Sequence, residues 1–318
     1  MQKFISATEV AEKWNLTIRR VQIFCNEGRI PGAYKQSGVW LIPASATKPE
    51  KIKSGVKTET PKKSIKVVSL FSGCGGMDLG FEGGFPVLKV SVNKNINKDW
   101  KVRSIDKNWV RLPRTRFQTV FANDIRPDAK TAWINYFGKR GTPDSSYYLD
   151  SIVDLVKLYK ENKVNVFPTG IDVVTGGFPC QDFSVAGKRQ GFNSSKSHNG
   201  KEITDEPSVE SRGQLYMWMR EVISIVKPKV FVAENVKGLT NLADVKEIIE
   251  HDFSTVCDGG YIVIPARVLL AAEYGVPQSR ERVIFLGFRK SALTDEALKA
   301  LSQKVIPAEY DPYPVKTH

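Results

Sequence analysis

From Ile65 onward the chain alternates short apolar runs with stretches of helical spacing. IKVVSLF (65–71), TVFAND (119–124), IDVVTGG (171–177), KVFVAEN (229–235) and RVIFLGF (282–288) are rich in Val, Ile and Phe and bounded by Gly, Asn or Asp. Apolar runs of this length without polar alternation predict strands buried on both faces. The intervening stretches 125–137, 151–161 and 213–226 predict helices, hence a mainly parallel sheet covered on both sides. Residues 3–46 form a separate patterned unit. There EVAEKW (9–14) and IRRVQIFCNEG (18–28) flank a turn at Asn15-Leu16-Thr17, and the hairpin-like RIPGAYKQSGVWLIP (29–43) follows. Residues 47–64 are rich in Lys, Thr and Pro with almost no large apolar side chain, which predicts a basic, solvated linker.

Composition is ordinary for a globular chain, 41% hydrophobic and 25% charged. Charge placement says more. Residues 1–63 carry 12 Lys+Arg against 5 Asp+Glu, and residues 88–118 carry 9 against 2. Each segment is therefore +7, and the rest of the chain is close to neutral within the total of +13. Two basic attachments on a neutral core point to a polyanion, nucleic acid ahead of an acidic membrane surface. No apolar run approaches membrane-spanning length and the polar N-terminus lacks a signal peptide's apolar stretch, so a cytoplasmic location is the default expectation. Cys25, Cys74, Cys180 and Cys257 are widely scattered and the three histidines do not cluster with them. Reduced thiols and no metal site are expected.

The N-terminal unit resembles the winged helix-turn-helix of excisionase-like and MerR-like DNA-binding domains. That resemblance implies a second helix entering a DNA groove and a hairpin touching the backbone. Thr17 is placed to cap the second helix, with Arg19 and Arg20 near its positive end and Lys35 in the hairpin as candidate DNA contacts. A small helical unit that docks protein is the alternative.

Candidate chemistry begins at Ser72-Gly73-Cys74-Gly75-Gly76, a glycine-rich turn after the first long strand. Glycines allow a tight turn and close approach of a ligand. Asp124 ends the next strand, where a carboxylate can accept hydrogen bonds from both hydroxyls of a ribose. Asp150 stands before another helical stretch and is positioned to meet an adenine edge; helix N-capping is the plainer role for either acid. No lysine of the P-loop kind follows the turn, which suits a nucleoside cofactor without a phosphate chain, such as S-adenosylmethionine. Cys180 in GGFPCQDFS lies on a loop at the carboxyl edge of the sheet, where a thiolate can attack an electron-poor carbon. Glu234 ends the strand KVFVAEN, and Arg280 and Arg282 lead into VIFLGF. A thiol, a carboxylic acid and two guanidiniums at one sheet edge suit attack on a heteroaromatic ring.

The ordered set SLFSGCGGMDLGF, FANDI, GGFPCQDFS, SRGQL, ENV and QSRERVIFLGF resembles motifs I, II, IV, V, VI and VIII of the cytosine-C5 DNA methyltransferases, from about Ile65 to Arg289. The resemblance implies an α/β fold: a Rossmann-like, S-adenosylmethionine-dependent methyltransferase sheet, here with a small N-terminal winged helix-turn-helix domain. It divides the chain into that domain (1–46), the linker (47–64) and a catalytic domain (65–318). It assigns Phe71, Gly73, Gly75, Asp124, Ile125, Asp150, Pro179 and Leu215 to the S-adenosylmethionine pocket. Cys180 becomes the nucleophile that adds to carbon 6 of a flipped cytosine, Glu234 the partner of ring N3, and Arg280 and Arg282 the residues that orient the base. Gln181 and Ser184 join the DNA contacts, and residues 182–212 read as a mobile loop closing over DNA.

Ser72 and Asp124 stand where the family commonly has Ala and Glu, and residues 88–118 are an insertion absent from compact members. After VIFLGFRK, too few residues follow for a target-recognition domain and motifs IX and X. The expectation is a second polypeptide that supplies them, as in a split restriction-modification enzyme, or else a truncated chain. A tRNA cytosine-C5 methyltransferase and a non-catalytic DNA-binding regulator are the competing functions.

Overall fold

The computed structural model describes residues 4–26, 30–36, 39–49, 63–96, 98, 100–162, 164–179, 215–241 and 244–318. The chain divides into two units, Met1–Pro61 and Lys62–His318. Most of the expected linker lies outside the described residues.

In the first unit, strand β1 (Phe4–Ser6) runs into helix α1 (Ala7–Trp14), and α2 (Ile18–Asn26) follows after a short turn. Ser6 and Glu9 form a reciprocal capping box, and Asn15 in left-handed conformation ends α1, so both ends of this short helix are specified locally. Thr17 Oγ1 accepts from Arg20 N at 3.3 Å, as its capping position predicts. Strands β2 (Tyr34–Gln36) and β3 (Val39–Pro43) form the expected hairpin, and β1 adds to β3, giving an antiparallel order β1-β3-β2. Val10, Ala11, Trp14, Val21, Phe24 and Ile42 meet in a core of this unit's own. Arg19, Arg20 and Lys35 are exposed, with the Arg20 guanidinium 4.9 Å from the centre of the Phe24 ring.

The second unit runs β4 (Ile65–Leu70), α3 (Gly76–Glu82), β5 (Pro86–Leu88), β6 (Arg103–Ser104), β7 (Trp109–Arg111), β8 (Phe117–Asn123), α4 (Pro127–Phe137), β9 (Tyr147–Tyr148), α5 (Ile152–Asn162) and β10 (Val173–Gly176). It continues α6 (Leu215–Val226), β11 (Val230–Val236), α7 (Val245–Ser254), β12 (Tyr261–Leu270), β13 (Glu281–Arg289) and α8 (Asp295–Leu301). Seven strands pair in the order β12-β13-β11-β10-β4-β8-β9. Strands β11 to β9 are parallel, while β13 and β12 are antiparallel additions at one side. Neighbouring residues on a strand serve different cores, as side-chain alternation requires. Phe121 and Phe285 pack with α5, α6 and α7, whereas Ala122 packs with Trp133 and Phe137 of α4, and Ile284 and Leu286 pack near Leu301 of α8. Both faces are thus covered, which explains the unbroken apolar runs.

Two strands escaped the apolar pattern. Strand β9 has only two residues, and β12 carries Pro265 and Arg267 where its register to β13 shifts. Proline cannot donate to a ladder, so it is tolerated at this irregularity of an edge strand. The basic insertion folds as a small antiparallel sheet, β5-β7-β6. Among the described residues, no helix is long and apolar enough to cross a membrane.

The glycine-turn helix α3 is fastened by a buried acid. Asp78 is 1% exposed and its Oδ2 accepts from Trp133 Nε1 of α4 at 2.8 Å. Burial pushes its carboxyl up to about 6, against the opposing hydrogen bonds from Ser69 and Trp133. The folded state therefore holds this proton more tightly than the unfolded chain. Stability from Asp78 is fully present below its unfolded pKa near 4 and is lost as pH rises through about 6. Asp78→Asn keeps an acceptor for the indole, and it should remove about 2–3 kcal/mol of the stability lost between pH 4 and 7. Urea unfolding at both pH values checks this; an identical loss in the variant contradicts it.

Candidate active site

Strands β4, β8, β10 and β11 all end at one edge of the sheet, and their tips build the site. After β4 the backbone enters left-handed conformation at Phe71 (φ 52°), Gly73 (φ 52°) and Gly75 (φ 88°). At Gly75 a Cβ would stand 2.5 Å from Phe137 and 2.7 Å from Trp133, so only glycine lets the turn rest on α4. The turn is tied to the tip of β8: Ser72 N donates to Asn123 O at 2.8 Å and Gly73 N to Asp124 Oδ2 at 2.9 Å. The other oxygen of Asp124 accepts from Arg126 N at 3.0 Å. Each of these oxygens keeps a lone pair for a further donor. Asn123 Nδ2 donates to Asp150 O at 2.7 Å, which pins the tip of β9. Tyr147 OH donates to Gly73 O at 2.9 Å, and burial raises the tyrosine pKa.

A cavity of about 200 Å³ opens at these tips. Phe71, Asp124, Ile125, Pro179 and Leu215 line it, five of the eight residues expected at a cofactor pocket, together with Asn123, Arg126, Ser151, Ile152 and Gly177. Gly73 and Gly75 shape the turn but are not among the lining residues, and Asp150 is exposed beside Ser151 and Ile152, which are. The cavity is mostly apolar, with a carboxylate at one side and an aromatic ring at another. Those are the surfaces a nucleoside presents partners to: an adenine face for the apolar wall and ribose hydroxyls for the carboxylate.

A second cavity, about 450 Å³, shares Phe71 and Gly177 with the first and extends past Met77 to Glu234 and Arg280. Glu234 Oε1 lies 2.7 Å from Arg282 Nε and 3.5 Å from the nearer nitrogen of Arg280. The three side chains converge because β13 runs antiparallel to β11, with Arg282 opposite Val236. Lys237 and Glu281 pair at 2.8 Å and close the same strand ends. The carboxylate is only 20% exposed and faces the Gly177 backbone; a Cβ there would meet Glu234 Oε2 at 2.9 Å. Asn235, 1% exposed, donates to Phe178 O at 3.4 Å and so ties the Gly-Gly-Phe-Pro segment to β11. Cys180, Gln181, Ser184 and the loop 182–212 lie outside the described residues, which resume at Leu215; Pro179 is the last described residue before the thiol.

The fold thus brings together Glu234, Arg280 and Arg282, and five of the ten residues lining the first cavity are ones the sequence singled out. No role was read in the sequence for Asn123, Tyr147, Gly177 or Asn235. Gly177 and Asn235 stood within the quoted motifs, but their partners are on other strands. Gly177→Ala meets only the end of a flexible side chain, so the fold should lose no more than about 1–2 kcal/mol. The displaced carboxylate should nonetheless leave Arg282, read as a shift of the Arg282 Nε–H resonance by NMR. An unmoved resonance contradicts the close packing described here.

Residues 65–314 match the C-5 cytosine-specific DNA methylase family. The type II methyltransferase M.BspRI of Lysinibacillus sphaericus is 35% identical over 227 residues, 71% of this chain and 45% of that protein. M.NgoFVII of Neisseria gonorrhoeae, also a type II methyltransferase, is 33% identical over 224 residues, 70% of this chain and 44% of its own length. The chain therefore spans less than half the length of either relative. Among solved structures, the S. pombe Dnmt2 methyltransferase aligns with TM-score 0.40 and 17% identity, covering 77% of this chain and 58% of that one.

Proposed function

The chain belongs to the C-5 cytosine-specific DNA methylase family, and from that premise we propose that it carries the catalytic half of an enzyme that methylates carbon 5 of cytosine in duplex DNA. The observation that carries the proposal is the shared wall of the two cavities. Phe71 and Gly177 line both a mostly apolar space at Asp124 and a space that reaches Glu234 and Arg280, with Arg282 paired to that glutamate. A methyl donor and an acceptor ring held in those spaces meet at the same strand tips. The cofactor we assign to the first cavity is S-adenosylmethionine, which when bound supplies an electrophilic methyl group.

Carbon 5 of cytosine is a weak nucleophile, and the work of the chain's own residues is to change that. Cys180, next to the cavity-lining Pro179, adds as thiolate to carbon 6 and pushes electron density onto carbon 5. Glu234, through a proton shared with ring N3, offsets the negative charge that develops there, while Arg282 and Arg280 hold the Glu234 side chain and the base plane. Once carbon 5 has bonded the methyl carbon, loss of its proton reforms the 5,6 double bond and expels Cys180 as thiolate. Attack from above the ring requires the cytosine out of its stack, so the second cavity receives a flipped base. In the N-terminal unit, Arg19 and Arg20 of α2 and Lys35 of the hairpin contact DNA phosphates. The chain spans less than half the length of these relatives, and the reading proposed here concerns the catalytic chemistry alone.

The test is a covalent trap: duplex DNA with 5-fluorocytosine, S-adenosylmethionine and the holoenzyme that contains this chain. Fluorine cannot leave as the proton does, so the thiol stays bound. A denaturant-stable adduct is expected with wild type and none with Cys180→Ala. Glu234→Gln should form it about 100-fold more slowly or worse. An adduct that persists in Cys180→Ala, or none with wild type, overturns the mechanism.

A further inference from the structure

Residues 86–116 take no part in the site described above, yet they carry much of the chain's positive charge. On β7, Trp109 and Arg111 face outward on either side of the buried Val110. The register sets Leu88 beside Trp109 and Arg103 beside Arg111, so one face of the little sheet is both apolar and cationic. Trp109 is 42% exposed and Trp100 45%. The turn between β6 and β7 is locally specified: Asp106 Oδ1 accepts from Asn108 N at 2.8 Å and from Trp109 N at 2.9 Å. Asp106 is thus spent on backbone. Lys101, Arg103 and Lys107 are exposed and have no ion-pair partner among the described residues.

The sheet is also fixed in place. Lys89 N donates to Asn108 O at 2.7 Å, and His318 Nε2 lies 3.4 Å from Val90 O. Asn93 Nδ2 donates to Thr317 O at 2.7 Å, and Thr317 N to Glu273 O at 2.8 Å. Ser91 O packs so close to Gly275 that a Cβ there would stand 2.6 Å from it. Gly275 opens the segment that delivers Arg280 to Glu234. The insertion is therefore braced against the segment that leads to Arg280, which lines the second cavity.

Resting on that function, we propose that the 86–111 sheet is a DNA-docking arm. Lys101, Arg103 and Lys107 hold backbone phosphates of the duplex flanking the target base, and Trp109 packs on the sugar edge beside them. Phosphates are the partner that matches three unpaired cations spaced along one hairpin, and an aromatic face beside them suits nucleic acid.

Binding of the full chain to a fluorescent duplex is measured by anisotropy from 50 to 300 mM NaCl. The triple variant Lys101→Gln, Arg103→Gln, Lys107→Gln should flatten the slope of log affinity against log salt by about 2.7, three phosphates' worth. It should also bind roughly 10-fold or more weakly at 150 mM salt. The single Lys107→Glu, at an exposed turn, should move both readings the same way. Trp109→Ala should weaken binding and leave the slope unchanged. An unchanged slope in the triple variant overturns the arm, as does loss of binding to anionic phosphatidylserine vesicles with DNA binding intact. The 5-fluorocytosine trap separates the two proposals. Capture with an unmoved slope removes the arm and keeps the methylation reading; a flattened slope without capture does the reverse.

Discussion

A carboxylate, two guanidiniums and a side-chain-free stretch of backbone crowd together where β10, β11 and β13 end. Glu234 can be held at 2.7 Å from Arg282 only because β13 returns antiparallel along β11, and it can face the β10 tip only because Gly177 has no Cβ. A partly buried carboxyl group is expensive unless paired, so the arginines fix its position. Everything else in the site is arranged around that fixed group. Asn235 tethers Phe178, Phe178 leads to Pro179, and Pro179 walls the neighbouring cavity one residue before Cys180.

The parallel core of the fold was legible in the sequence because strands buried on both faces must be apolar throughout. The edges were not. Strand β12 interrupts its apolar run with Pro265 and Arg267 at a register shift, and β9 is too short to show any pattern. The antiparallel entry of β13 could not be read from RVIFLGF, since burial dictates composition irrespective of direction. It is this reversal that brings Arg280 and Arg282 to Glu234.

Within the site, motif residues were easier to find than their supports. Phe71, Asp124, Ile125, Pro179 and Leu215, which stand in the quoted motifs, line the first cavity. Asn123 and Tyr147 act by hydrogen-bonding backbone carbonyls of distant loops, and no local spacing announces such a bond. Asp78 is similar: its partner Trp133 is 55 residues away in sequence. Charge, by contrast, was informative at once. The two basic segments of the sequence became the exposed Arg19 and Arg20 of α2 and the outward face of the β5-β7-β6 sheet.

Which atom of the base receives the methyl group decides whether a thiol adduct is needed. Attack by an exocyclic amino group needs no thiol adduct, whereas attack by carbon 5 depends on one. The direct measurement is nucleoside mass spectrometry of duplex DNA methylated by this chain with the rest of its enzyme. 5-Methyl-2′-deoxycytidine is expected with wild type and none with Cys180→Ala. N4-methylcytosine or N6-methyladenine as the product, or 5-methylcytosine surviving in Cys180→Ala, rules out methylation of carbon 5 through a Cys180 adduct.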